Sequence, residues 1–146
     1  MTAEDCPDTY LPLPVLLQRG ARWFSDELVS RLEAAEVAPV TPAHTTVLAH
    51  LGHDASLSIA ELARRAGVTR QTMHRAVTQL IDEGLLTSMP GPGFPRSTLI
   101  ELTDAGRRRR DVALGILRDL EEELGSRLGL ATVAELRDTL TRAWPR

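Results

Sequence analysis

A chain of 146 residues with 42% apolar and 25% charged side chains can bury one core with appended helices, is too short for an ordinary two-domain enzyme, and lacks the composition of a disordered segment. Its formal net charge of −3 excludes a uniformly basic nucleic-acid binder, but all 17 cationic side chains are arginine, and the stretch from Arg64 to Arg110 carries +5 against −8 for the remainder, the segregation expected of a basic contact face on an acidic body. No run reaches the roughly 18 apolar residues of a membrane span, and the acidic start at Glu4, Asp5 and Asp8 lacks the basic flank of a secretion signal, so a cytoplasmic protein without a membrane partner is expected.

Leu13, Leu17, Ala21, Phe24, Leu28 and Leu32 recur every three or four residues and predict a first amphipathic helix. Thr41 before Pro42 predicts an N-cap with proline at the first helical position, opening a second helix that runs to about Leu51 until Gly52, His53 and Asp54 break it. Ser58 followed by Glu61 is a capping-box signature for a third helix, with Ile59, Leu62, Ala63 and Ala66 as its apolar face. Gly67 supplies the residue that tolerates positive φ in a tight turn, and Thr69 caps a fourth helix. In that helix Met73, Val77, Leu80 and Ile81 are expected to face inward, and Arg70, Gln71, His74, Arg75 and Thr78 to share the opposite face.

Gly84 ends the fourth helix, and Leu85 to Met89 with Ser97 to Leu102 read as two short strands around the glycine- and proline-rich tip Pro90 to Pro95, a β-hairpin wing. Thr103 caps a long fifth helix striped by Leu117, Leu120, Leu124 and Leu128, and Thr132 with Glu135 opens a last helix striped by Val133, Leu136, Leu140 and Trp144. The amphipathic helices at both ends exceed what a small winged core needs, and they call for a partner surface. The expected fold is mainly α, an α+β winged helix-turn-helix. Residues 1–40 form an N-terminal segment and dimerisation helix, 41–102 the DNA-binding lobe and 103–146 the C-terminal dimerisation helices.

A helix-turn-helix places the start of its second helix in the major groove, where arginine and glutamine read base edges. Arg70, Gln71 and His74 occupy those positions, Arg75 and the capping Thr69 are placed to hold phosphates, and Thr72 and Thr78 complete the contact set. The bland alternative for such a face is a solvated helix surface; the hairpin that follows argues against it. Recognisable catalytic arrangements are missing from the sequence: there is no phosphate loop, no nucleophile elbow and no paired carboxylates. An enzyme is therefore not expected, nor is a cofactor.

The segments IAELARRAGVTRQTMHRAVTQLIDEGLL and LIELTDAG, with the helices on either side, resemble the MarR family of transcriptional regulators over nearly the whole chain. The resemblance implies a homodimer joined through the first, fifth and last helices, with two winged lobes reading double-stranded DNA at a pseudo-palindrome. It also implies a repressor released by a small aromatic or anionic effector. One departure stands out. The family's wing carries Asp-x-Arg before its second strand, whereas this chain has Phe94, Pro95 and Arg96; by that match Arg96 is the minor-groove contact, without its acidic partner. The altered wing keeps open a rival reading, a winged-helix dimer serving as a protein-interaction module without operator binding.

Effector-lining candidates are Arg22, Trp23, His44 and Leu48, because they lie on the first two helices, although Trp23 also suits the core or the interface. Cys6, the single cysteine, excludes an internal disulfide. As a redox sensor it is disfavoured by Glu4, Asp5 and Asp8, whose negative charge opposes a thiolate. His44, His50, His53 and Asp54 have spacings that do not make a convincing ligand set, so no metal is expected.

Overall fold

The computed structural model describes residues 10–37, 41–92 and 97–145. Helix α1 (Leu13–Ala34) starts directly after Pro12, and α2 (Pro42–Leu48) starts on Pro42, whose fixed φ suits a first helical position. A short strand β1 (Leu57–Ser58) leads into α3 (Ile59–Ala66), where the Ser58 hydroxyl accepts the Glu61 N–H. Only half of the expected capping box forms there. The Glu61 carboxylate turns instead to Arg64 and Arg65, one helical turn further on.

Gly67, at φ 68°, makes the left-handed turn that a residue with a β-carbon would resist. Helix α4 (Arg70–Asp82) follows, and Gly84, at φ 77°, reverses the chain into strand β2 (Leu86–Pro90). Strand β3 (Thr98–Leu102) returns, and Thr103 caps α5 (Asp104–Leu128) by accepting the Gly106 N–H while donating to the Gly84 carbonyl oxygen at 2.6 Å. Gly129, at φ 97°, turns the chain into α6 (Leu130–Ala143).

The sheet is antiparallel in the order β1-β3-β2, with Leu57 opposite Ile100 and Leu86 opposite Leu102. The third strand β1 escaped the sequence reading, since two residues are too few to show alternation. Between the sheet and α2, α3 and α4 lies one continuous core in which Val47, Leu51, Leu62, Met73 and Leu80 are fully buried. The wing base closes it through Leu85, Leu86, Ile100 and Leu102.

Three expectations need correction. Ile81 is 36% exposed and does not face inward; Ala76 takes its place in the buried stripe Met73, Ala76, Val77 and Leu80. At about 100° per residue, position 81 sits roughly a quarter turn from the centre of that stripe. The last helix opens at Leu130 behind Gly129, so Thr132 lies inside it rather than at its cap. Helix α2 stops at Leu48, though backbone bonds from His50 and Leu51 to the Val47 carbonyl continue the turn and keep Leu51 buried.

The arginine run on α5 fastens that helix to the lobe. Arg107 Nε donates to the His53 carbonyl at 3.0 Å and Arg110 Nε to the Leu48 carbonyl at 3.3 Å, so two residues one turn apart grip the end of α2 and its following loop. Gly106 meets the lobe even more closely: a β-carbon there would stand 2.1 Å from the Leu85 carbonyl oxygen. Outside the lobe, burial among the described apolar side chains reduces to Leu28, Leu32 and Leu120.

Candidate nucleic-acid interface and effector cavity

The contact face is built from the cap upward. Thr69 Oγ1 accepts the Thr72 N–H at 3.1 Å and donates to Thr72 Oγ1 at 2.9 Å, which fixes both hydroxyls at the amino end of α4. Thr72 Oγ1, an acceptor in that pair, keeps its own hydroxyl hydrogen for an outside acceptor such as a phosphate oxygen. Arg70, Gln71, Thr72, His74, Arg75 and Thr78 are all exposed along one side of the helix, while Met73, Ala76, Val77 and Leu80 anchor the other. Tight packing behind the helix lets its polar side present donors in a fixed array.

Electrostatics separate the two helices of the motif. On α3, Arg64 and Arg65 share the Glu61 carboxylate at 2.6 and 3.0 Å. Hydrogen bonds from Arg64 and then Arg65, outweighing burial, hold that carboxyl below its ordinary value. On α4, Arg70 and Arg75 form no ion pair among the described residues. Their charge is therefore available to a polyanion without first breaking a local bridge. Arg96 and Cys6 lie outside the described residues.

A second feature is a half-open cavity of about 200 Å³ lined by α1, α2 and α5. Phe24, Leu28, Leu48, Leu114 and Leu117 give it apolar walls, with His44, Thr45, Arg109 and Arg110 as polar elements. A cavity of about 150 Å³ admits benzene, so this one has room for a single substituted ring. Of the four sequence candidates, His44 and Leu48 line it and Arg22 and Trp23 do not. Trp23 packs edge-on against Phe24 at 4.8 Å, with the Arg127 guanidinium 5.0 Å from its ring centre, and so serves the α1–α5 seam. Arg22 is exposed on α1.

His44 is only 2% exposed, yet both ring nitrogens are engaged. The Thr41 N–H donates to Nδ1 at 2.8 Å, which makes Nδ1 an acceptor and places the proton of the neutral ring on Nε2. Nε2 in turn donates to Glu83 Oε2 at 2.5 Å. Gln79 Nε2 completes the arrangement, donating to Thr41 Oγ1 and to Glu83 Oε1, both at 3.1 Å. Burial works to raise the Glu83 carboxyl, but the hydrogen bonds from His44 and Gln79, with the field of Arg109, outweigh it and hold the group below its ordinary value.

Gln79, Glu83, Arg109 and Arg110 were not among the site residues read from sequence. One signal was present for Glu83: a carboxylate at the carboxyl end of a helix opposes the macrodipole and needs a compensating partner. The other histidines serve separately, His53 standing 3.4 Å from Asp111. Among the described residues no three or more histidine, cysteine or acidic side chains gather as metal ligands. No described helix is long and apolar enough to cross a membrane.

A family model described as MarR family matches residues 38–93, which span α2, the helix-turn-helix and the first strand of the wing. A Mycobacterium tuberculosis protein, Rv2011c, described as uncharacterized, is 30% identical over 112 residues, 75% of this chain and 78% of its own. The fold superposes on apo MarR from E. coli with a TM-score of 0.74 at 24% identity, covering 93% of this chain and 99% of that one. It also superposes on the M. tuberculosis MarR family protein Rv2887, in complex with salicylic acid, with a TM-score of 0.68 at 27% identity, over 92% and 98% of the two chains.

Proposed function

Because the chain belongs to the MarR family of winged helix-turn-helix transcriptional regulators, we propose that it binds operator DNA as a homodimer and represses transcription until a small effector enters the cavity between α1, α2 and α5. The observation that carries DNA binding is the exposed face of α4, where Arg70 and Arg75 carry charge free of local ion pairs beside Gln71 and His74. Arginine and glutamine there suit base edges, and the Thr69–Thr72 cap suits a phosphate at the helix amino end. Arg96 is assigned to the wing contact by family match alone.

Dimerisation is supported by the apolar surface left open on the end helices. Leu13, Leu128, Leu130 and Trp144 are each more than half exposed, and Phe24, Leu124, Val133, Leu136 and Leu140 line a groove between α1, α5 and α6. Contiguous apolar surface of this kind marks an interface, and a two-fold pairing would set two α4 helices on successive major grooves, about 34 Å apart. The effector reading is supported by the size and walls of the cavity, with cationic Arg109 and Arg110 suited to an anionic substituent. Salicylic acid bound to Rv2887 makes it the natural first probe.

The deciding experiment is fluorescence anisotropy on duplexes from the DNA flanking the gene, titrated with salt. Wild-type protein is expected to bind a pseudo-palindrome with a steep salt dependence. Arg75→Ala should weaken binding, and loss of one phosphate contact lowers the salt slope by about one. Unchanged affinity in both Arg70→Ala and Arg75→Ala, or no salt-sensitive binding at all, would sink the reading and favour a protein-interaction module.

A further inference from the structure

Within the cavity lining, His44 bonds directly to Glu83 at the carboxyl end of α4. We propose that the closed ring Thr41–His44–Glu83–Gln79 transmits occupancy of the cavity to the recognition face, with Gln79 and Glu83 as positioning residues for α4. The proposal rests on the effector reading given above.

The geometry is that of a clamp. Each member bonds to two others: Thr41 to His44 and Gln79, His44 to Thr41 and Glu83, and Glu83 to His44 and Gln79. Gln79 and Glu83 are one turn apart on α4, and Thr41 and His44 one turn apart on α2, so the ring joins the start of one helix to the end of the other. A buried imidazole cannot shift by an ångström without loosening a bond on one side, because no alternative partner compensates a buried polar atom. His44 is also part of the cavity lining. An occupant touching it must either leave the ring as it stands or carry Glu83 along with His44.

Movement at Glu83 reaches the contact face because α4 is one stiff rod. Its 13 residues from Arg70 to Asp82 extend about 20 Å, and Met73, Ala76, Val77 and Leu80 bear on the core as a fulcrum. A tilt at the clamped end therefore re-aims Arg70, Gln71 and His74 at the other. Arg110, bonded to the Leu48 carbonyl, grips α2 and not α4, so that contact moves the cavity wall without addressing the recognition face.

The test is a double-mutant cycle on the full-length, isotopically labelled protein. Ala113→Phe places a permanent ring in the cavity from α5, Ala113→Leu is a smaller occupant should the first not fold, and Glu83→Ala opens the ring at its solvent-facing member. Backbone and side-chain amide spectra are recorded for each variant, and salicylate is titrated into wild-type and Glu83→Ala protein. Filling the cavity in the wild-type background should shift the Gln79 side-chain amide and the backbone amides of Arg70 to Arg75. In the Glu83→Ala background the same occupants should still shift Leu114 and Leu117 while leaving Arg70 to Arg75 in place.

Operator affinity should follow the spectra. An occupant is expected to cost about tenfold with the ring closed and less than about threefold with it open. Equal shifts of Arg70 to Arg75 in both backgrounds, or shifts at Leu114 with Gln79 unmoved, would overturn the relay while leaving the effector cavity standing. If salicylate moves no cavity signal, it is the effector reading for aromatic carboxylates that fails, and the built-in occupants at position 113 still decide the relay.

Discussion

The winged lobe and the end helices differ in how they satisfy their apolar residues. In the lobe, the stripes of α2, α3 and α4 close against the sheet, and Val47, Leu51, Leu62, Met73 and Leu80 are wholly buried. On α1 and α6 the periodicity is as regular, yet Leu13 is 60% exposed, Trp144 is 59% exposed and no residue of α6 is buried. The same sequence signal thus has two outcomes. An apolar stripe identifies a helix and a buried side, but whether the burial is within the chain or against another copy is decided by which surfaces the fold brings opposite it.

The strongest way to break this contrast is in the lobe core. Leu62→Ala, at a site with no exposure, should cost about 2–5 kcal/mol of unfolding free energy, read from the urea midpoint. A loss below ~1 kcal/mol would mean that the lobe is not the self-contained unit described. At the other pole, Leu136→Glu puts a charge in the α1–α5–α6 groove. It should halve the mass in sedimentation analysis and weaken operator binding by about 100-fold or more through loss of the paired lobe. The helical circular dichroism of the lobe should survive. An unaltered dimer would show that the groove is not the interface.

Smaller effects probe the contact face, where charge rather than burial is at stake. Arg70→Ala, at a base-reading position, should cost about 1–3 kcal/mol of operator affinity with no shift in melting temperature. Thr69→Ala removes the α4 cap and should destabilise by about 1 kcal/mol, visible in denaturant unfolding. The smallest is a pH effect at Glu83. Its carboxyl is held below the ordinary value of 4.5 in the folded protein, so its stabilising contribution is complete above about that pH and is lost as pH falls through the lower folded value. The stability difference between wild type and Glu83→Ala should therefore shrink on acidification from pH 6 to pH 3. A difference independent of pH would mean that the carboxylate charge plays no part in the clamp.

Most of the lobe was legible in the sequence because local chemistry and the tertiary fold agree there. Gly67 turns where a positive φ is required, and Thr69 and Thr103 cap where their hydroxyls reach the next turn. Thr132 looked like a cap for the same reason and is not one. The Gly129 backbone had already turned the chain into α6, and tertiary geometry overrode a local preference. The exposed face of α4 was read residue by residue from helical spacing. The cavity was only half legible, since His44 and Leu48 share α2 whereas Arg109 and Arg110 come from a helix some 60 residues away in the chain. No periodicity could announce that the four-arginine run would fold back as a fastening, or that Glu83 would meet His44 across 39 positions of sequence.

Gly106 gives the molecule its gearing. With a bare α-carbon against the Leu85 carbonyl, α5 meets the lobe without any side chain to act as a cushion, and Thr103 and the two arginines lock the joint. Its 25 residues make an arm about 37 Å long from the wing base to the surface where a second chain would sit. A turn of about 10° at the far end sweeps the lobe through about 6 Å, close to two base-pair steps of duplex. If the chain pairs and binds DNA as proposed, a modest repacking between protomers would be enough to put the two recognition faces out of register with the duplex.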